Sequence, residues 1–332
     1  MLNKIGSEYI KGQITKIKSF RKGIEENKDI EYLHKVRVSS RKILAAVYLF
    51  ENYFKKNSFR EWERELKTLA KKLGKPRDLD VHIQFLDNFI QTHQKDAVKT
   101  GVNRIKVRFT QKRIKYQDTI LVAIDEFLSW VKDNPLNKSY ILEKEEGENL
   151  KQKITSLIEN KLSRIKMFEA YIYNINNVEE LHELRKANKL LRYALEIFNP
   201  HYENKLLPYI NEITKTQDKL GLIHDCDVWG ELLPDFIEKE KKKTIRFYGE
   251  VTPFYNIEPG IRYLGESLQK SREEQYYLFL EEWKTLNTNN FMPDLINLLL
   301  TGNEGNNSPG QQNPAIVEDE LPQNRKNSFL TA

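Results

Sequence analysis

Leu33-His34-Lys35-Val36-Arg37-Val38-Ser39-Ser40-Arg41-Lys42 decides the reading of this chain, because Leu181-His182-Glu183-Leu184-Arg185-Lys186-Ala187-Asn188-Lys189 repeats its pattern 148 positions later. On a helix turning about 100° per residue, His34, Arg37 and Arg41 project within an arc of roughly 60°, and His182, Arg185 and Lys189 do the same. A basic stripe is thus present twice. On the first of these helices Val36, Ser40, Ile43, Val47 and Phe50 form the apolar face, and the cations sit at its shoulder. A solvated face would lie opposite. Arginines at a shoulder emerge from packed surroundings with few rotamers left, which favours repeated hydrogen bonding to oxyanions. Histidine in the same row can donate to phosphate or orient a neighbour.

Two further blocks flank the stripe. Residues 14–20 (ITKIKSF) return as residues 162–168 (LSRIKMF) at the same offset of 148, and residues 73–81 (LGKPRDLDV) return as residues 220–228 (LGLIHDCDV) at 147. Three blocks in one order, drifting by a single position, predict an internal duplication in which both halves fold alike. The pattern predicts a first helix over 7–26, a second over 29–53 and its copy from Asn177, at capping-box spacing from Glu180, to Asn199-Pro200. A third helix is expected after Ser58, with Glu61 as capping partner, ending at Leu73-Gly74. Asp78 and Asp225 are then expected to cap the helices that follow. Residues 96–132 read as one long helical pattern with Arg104, Arg108, Lys112 and Lys115 on one face, and a final helix is expected over 261–286.

The resulting expectation is an all-α domain over residues 5–300, built as two helical bundles related by pseudo-twofold symmetry around a basic groove or channel. Its first half spans 5–132 and its second 150–300, joined by a linker at 133–149. Residues 301–332 have little to bury and are expected to be a disordered tail.

Composition narrows what such a groove could hold. The formal net charge is +6, and the tail's Glu304, Glu318, Asp319 and Glu320 against Arg325 and Lys326 mean that the folded part is more basic still, which points to an acidic partner. The single cysteine, Cys226, excludes an internal disulfide and fits a reducing compartment. No run of about 20 apolar residues exists, so a cytoplasmic protein without a membrane partner is expected.

The residues LHKVRVSSRK, LHELRKANKLLRYALEIF, LGKPRDLDV and LGLIHDCDV resemble the CHAD family, the domains named for conserved histidines in an α-helical fold, and the resemblance extends over roughly 5–300. It implies two helical bundles about a basic central groove that binds inorganic polyphosphate and can target a protein to polyphosphate granules. CHAD domains often accompany a triphosphate-hydrolysing tunnel domain, for which there is no room here, so a stand-alone binding module is expected. Carried over residue by residue, the implied polyphosphate contacts are His34, Arg37, Arg41 and Lys42, then His182, Arg185, Lys186, Lys189 and Arg192. Leu44 and Leu190 stand where members often carry another arginine, and Glu196 shares a face with Arg192 and can pair with it.

A second tier comprises Lys16, Lys18, Arg164 and Lys166, the helix-face cations Arg104, Arg108 and Lys112, and Arg77 with its equivalent His224, which could reach an anion or only a carbonyl. No metal or cofactor is expected, since the six histidines are scattered and Cys226 replaces Leu79 as a small core side chain. A phosphoanhydride hydrolase would need acidic residues for Mg²⁺ on the stripe helices, which lack a repeated acidic cluster. A nucleic-acid binder would interleave its cations with exposed aromatics, of which Tyr48 and Tyr193 are the nearest. Non-catalytic polyphosphate binding is the reading that remains favoured over hydrolysis or general polyanion binding.

Overall fold

A computed structural model describes residues 1–26, 29–139 and 149–302. Among them are twelve α-helices and no strand. The helices are α1 (Leu2–Glu25), α2 (Ile30–Leu49), α3 (Lys56–Thr92), α4 (Asp96–Ile114), α5 (Gln117–Asp133), α6 (Leu136–Ser139), α7 (Leu150–Lys166), α8 (Val178–Phe198), α9 (Leu207–Tyr248), α10 (Thr252–Tyr255), α11 (Glu258–Thr288) and α12 (Phe291–Thr301). The all-helical class agrees with the periodicity. Most of the expected linker and nearly all of the expected tail lie outside the described residues.

Local chemistry explains where the stripe helices begin. Asp29 caps α2, its carboxylate accepting from the Glu31 amide at 2.9 Å, and Glu31 in the first turn complements the helix dipole. At the start of α8 the expected capping box does not form. Asn177 instead donates its side-chain amide to the Tyr171 carbonyl at 2.8 Å, tying the preceding loop down, and Glu179 and Glu180 supply the negative charge of the first turn.

The largest departure from expectation lies in α3 and α9, which run for 37 and 42 residues. Leu73-Gly74 does not end a helix, and neither does Leu220-Gly221. Pro76 lies inside α3 although it removes a backbone donor, because Leu69, Leu73, Pro76 and Asp80 are all buried against neighbouring helices. Burial outweighs the local propensity to stop. Asp78 and Asp225 are therefore mid-helix and cap nothing. The single pattern expected over 96–132 divides into α4 and α5 at Lys115-Tyr116. The last expected helix is α11, and the apolar residues Phe291, Leu295, Leu298 and Leu299 bury an additional helix, α12.

Two apolar cores result. One gathers α1, α2, the first half of α3 and α5 together with α7, α8, the first half of α9, the end of α11 and α12. The other joins Leu86, Phe89, Val102, Ile105 and Phe109 to Trp229, Leu233, Phe254, Ile261 and Leu264. Both draw on residues from either side of 140–148. In the second core α4 and α11 touch backbone to backbone: a β-carbon on Gly101 would come within 2.8 Å of the Gly260 α-carbon, and one on Gly260 within 2.7 Å of the Val98 carbonyl. Only glycine permits that approach. The first core sets α2 beside α8, which is what positions the two stripes.

Candidate anion-binding site

The stripes meet. Phe50 and Phe198, at the ends of α2 and α8, pack edge to face with ring centres 6.0 Å apart, and Lys42 on α2 reaches Glu196 on α8 at 3.1 Å. Between the helices lies Arg41, half-buried and held in no ion pair by any described residue. Burial lowers its pKa from the ordinary arginine value, and Arg37 on its own helix and Arg185 on the opposite one lower it further. Tyr193 and, more weakly, Asp78 act in the other direction. A guanidinium taken partly out of water and set between two others is costly unless an anion joins it.

The long helices hold this cluster from behind. Arg37 donates to Asp78 on α3 at 2.7 Å, and its guanidinium lies 4.0 Å from where a β-carbon on Gly74 would stand. Arg185 lies 3.8 Å from the corresponding point on Gly221 of α9. A methyl group would already be in contact at either glycine, so a longer side chain would displace the arginine.

His182 and His224 complete the α8–α9 side, their Nδ1 atoms 2.8 Å apart and their rings edge to face. One ring must donate and the other accept, so both cannot be imidazolium while this bond stands. Burial, followed by Arg185, His182, Lys189 and Lys186, pushes the His224 pKa down to about 4. His182 is likewise lowered, by burial first and then by Lys186 and Arg185. The field at the pair is strongly positive, which an arriving anion would offset. His34 is half-buried on the α2 stripe.

Other candidates are engaged elsewhere. Glu196 takes Arg192 at 3.5 Å as well as Lys42, so these two cations are partly neutralised at the helix contact. Glu183 takes Lys186 at 2.6 Å and Arg164 at 3.6 Å. Arg77 is 6% exposed and pairs with Glu31, while Arg113 holds the buried Asp80 at 2.6 Å. Arg104 and Arg108 reach Glu240 on α9 at 3.5 and 2.7 Å, where the carboxylate is buried, so they clamp α4 to α9. Lys112, Lys16, Lys18 and Lys166 are exposed side chains.

Sequence patterns alone missed Asp78 as the partner of Arg37, Tyr193 as a neighbour of Arg41, and Glu240. Only the aspartate carried a visible signal, its place in the repeated block. Cys226 is buried in the second core, and burial pushes its thiol up to about 12, which suits an inert packing residue. Among the described residues no group of three or more His, Cys, Asp or Glu is placed to hold a metal ion.

The family model for the CHAD domain matches residues 8–234. Two solved structures share the fold. PptA from Streptomyces chartreusis has a TM-score of 0.64 at 13% identity, over 85% of this chain and 99% of that one. The CHAD domain from the plant Ricinus communis has a TM-score of 0.59 at 17% identity, over 90% and 91% of the respective chains. Curated proteins provide no match.

Proposed function

This chain belongs to the CHAD domain family, and from that premise we propose that it binds inorganic polyphosphate without catalysing its hydrolysis. The ligand contacts are Arg37, Arg41, Arg185 and Lys189, with His34, His182 and His224 at the flanks and Lys42, Lys186 and Arg192 as weaker contributors held back by carboxylates. The pairing of the two stripes by internal duplication is part of the proposal, as is delivery of the protein to polyphosphate granules in the cytoplasm.

The observation that carries the reading is Arg41, half-buried between Arg37 and Arg185 and in no ion pair with a described carboxylate. Charged groups in such surroundings form stronger bonds to an oxyanion than solvated lysines do. Two rows of cations along neighbouring helices suit a chain with regularly spaced charges better than one small ligand.

The test is titration with long-chain polyphosphate across a salt series, with single- and double-stranded DNA at matched salt and phosphate release followed in parallel. Counterion release weakens binding to any polyanion as salt rises, so the preference between ligands is the informative quantity. Tight polyphosphate binding, much weaker DNA binding and no released phosphate are expected. Arg37→Glu combined with Arg185→Glu should abolish the binding while leaving helicity intact. Equal affinity for all three ligands would reduce the site to a general polyanion surface, and released phosphate would make it an enzyme.

A further inference from the structure

The C-terminal end of α9 leaves the second core and carries residues that a protein surface normally hides. Residues 245–250 are exposed without interruption. Phe247 is 80% exposed and Tyr248 56%, their rings 4.8 Å apart, with Ile245 at 43% beside them and Tyr255 at 54% one short turn of chain later. Isolated exposed apolar residues need no explanation, but two aromatic rings in contact at an exposed helix end do.

The same end is basic. Lys239, Lys241, Lys242, Lys243 and Arg246 stand in it against Glu238, Glu240 and Glu250. Lys239 pairs with Asp235 at 2.9 Å, and Lys243 reaches Glu240 at 3.8 Å, a carboxylate 1% exposed and already engaged by Arg104 and Arg108, so Lys241, Lys242 and Arg246 carry most of the exposed charge. At 100° per residue Ile245 and Tyr248 share one side of the helix, about 60° apart, while Phe247 lies about 160° from Ile245 with Arg246 between those two. An end that is apolar and cationic all round offers no single face to a helical partner, and its charge repels a second copy of itself. What accommodates it is a soft, anionic interface that takes aromatic side chains at headgroup depth and basic ones at the phosphates.

We propose that this end of α9 is a peripheral docking site for anionic phospholipid bilayers, with Phe247 and Tyr248 entering the interface and Lys242 and Arg246 meeting headgroups. No helix among the described residues is long and apolar enough to cross a membrane, so the contact is one of insertion at the surface. This revises the expectation of no membrane partner, which rested on the lack of a spanning segment. Tyr248 lies about 36 Å along α9 from His224, at 1.5 Å per residue, so docking leaves the α2–α8 cluster free. The site stands independently of what that cluster binds. Phe247 and Tyr248 also cover each other edge to face, an arrangement less open to a stacked base than a flat ring lining a groove.

The full chain would be sedimented with vesicles of mixed phosphatidylglycerol and phosphatidylcholine, and with phosphatidylcholine alone. Expected is at least a roughly tenfold preference for the anionic vesicles, weakened by salt. Phe247→Ala with Tyr248→Ala should weaken that binding about fivefold or more while leaving helicity and polyphosphate affinity unchanged. Tryptophan at 247 (F247W) should shift its emission to the blue on anionic vesicles. Arg41→Glu should lose polyphosphate and keep vesicles. Equal partition into both vesicle types, undiminished binding by the double alanine variant, or loss of vesicle binding in Arg41→Glu would each overturn the proposal. So would capture of single-stranded DNA, lost in the double alanine variant, by a protein that ignores vesicles.

Discussion

Arg41 and Arg108 are arginines at the buried shoulders of helices, and their surroundings give them opposite roles. Arg108 makes a two-pronged contact with Glu240, its Nε and Nη2 donating at 2.9 and 2.7 Å to a carboxylate with almost no water around it. Arg41 is more deeply placed, yet its strongest charged neighbours are Arg37 and Arg185. In the α4–α9 clamp the opposite charge is supplied by the chain. At Arg41 no described carboxylate forms an ion pair. What separates Arg108 from Arg41 is whether a carboxylate from a distant helix arrives at the same place.

Breaking the clamp should have the largest effect. Glu240→Gln leaves Arg104 and Arg108 facing a neutral amide in a buried setting, and loss of one partner of such a pair costs about 3–5 kcal/mol. Urea denaturation should show that loss, while polyphosphate affinity stays within about twofold. Arg41→Glu should do the reverse. The new carboxylate would sit between Arg37 and Arg185 and supply the missing charge internally, so the melting temperature should hold or rise. Polyphosphate affinity should fall by about a hundredfold, near 3 kcal/mol, measured by titration calorimetry. If Arg41→Glu instead unfolds the protein with no loss of affinity per folded molecule, the contrast between the two regions is wrong.

The helical class and the two stripes were legible because both follow the 3.6-residue period, which needs no knowledge of the rest of the chain. The distinction between Arg41 and Arg108 was not. Glu240 lies 132 positions from Arg108, and nothing in α4 shows that a carboxylate will meet it. The same distance problem turned Asp78 from the partner of Arg37, 41 positions away, into an expected helix cap. Leu73-Gly74 reads locally as a helix end, but packing of the buried Leu73 and Pro76 against other helices keeps α3 continuous. His182 and His224 were both named, yet their contact joins residues 42 positions apart and appears only in three dimensions.

That contact sharpens the comparison through pH. In the free protein the His224 pKa is depressed to about 4, so its neutral form is favoured. The unfolded chain takes up that proton near pH 6.5 and the folded one does not until near 4, so stability falls as pH drops between those values. A bound polyanion reverses the field of Arg185, Lys189 and Lys186 and raises the histidine pKa in the complex. Binding then takes up protons. Affinity for long-chain polyphosphate should therefore rise about threefold from pH 7 to pH 5, and the rise should shrink in His224→Gln and be lost when His182 is also replaced by glutamine. An affinity that falls on acidification would mean that the pair does not face the ligand.

The smallest effect tests the border between the two kinds of site. Glu196 holds Lys42 at 3.1 Å and Arg192 at 3.5 Å, so within the cation cluster it plays in part the role that Glu240 plays in the clamp. Arg192 also lies over the Tyr193 ring, 5.2 Å from its centre, which keeps the guanidinium in place when the carboxylate is removed. Glu196→Gln preserves the size of the side chain and removes its charge. Stability should decline by about 1–2 kcal/mol, since the ion pairs are only partly buried. Affinity for polyphosphate should increase about threefold, because Lys42 and Arg192 no longer leave an internal anion to meet the ligand and one repulsive charge is gone. Opposite signs in the two measurements would place Glu196 as an internal competitor that trades binding strength for contact between α2 and α8. A fall in both would show instead that the Lys42–Glu196 pair sets the distance between the stripes, and that the proposed site depends on the same internal neutralisation that fixes Arg104 and Arg108.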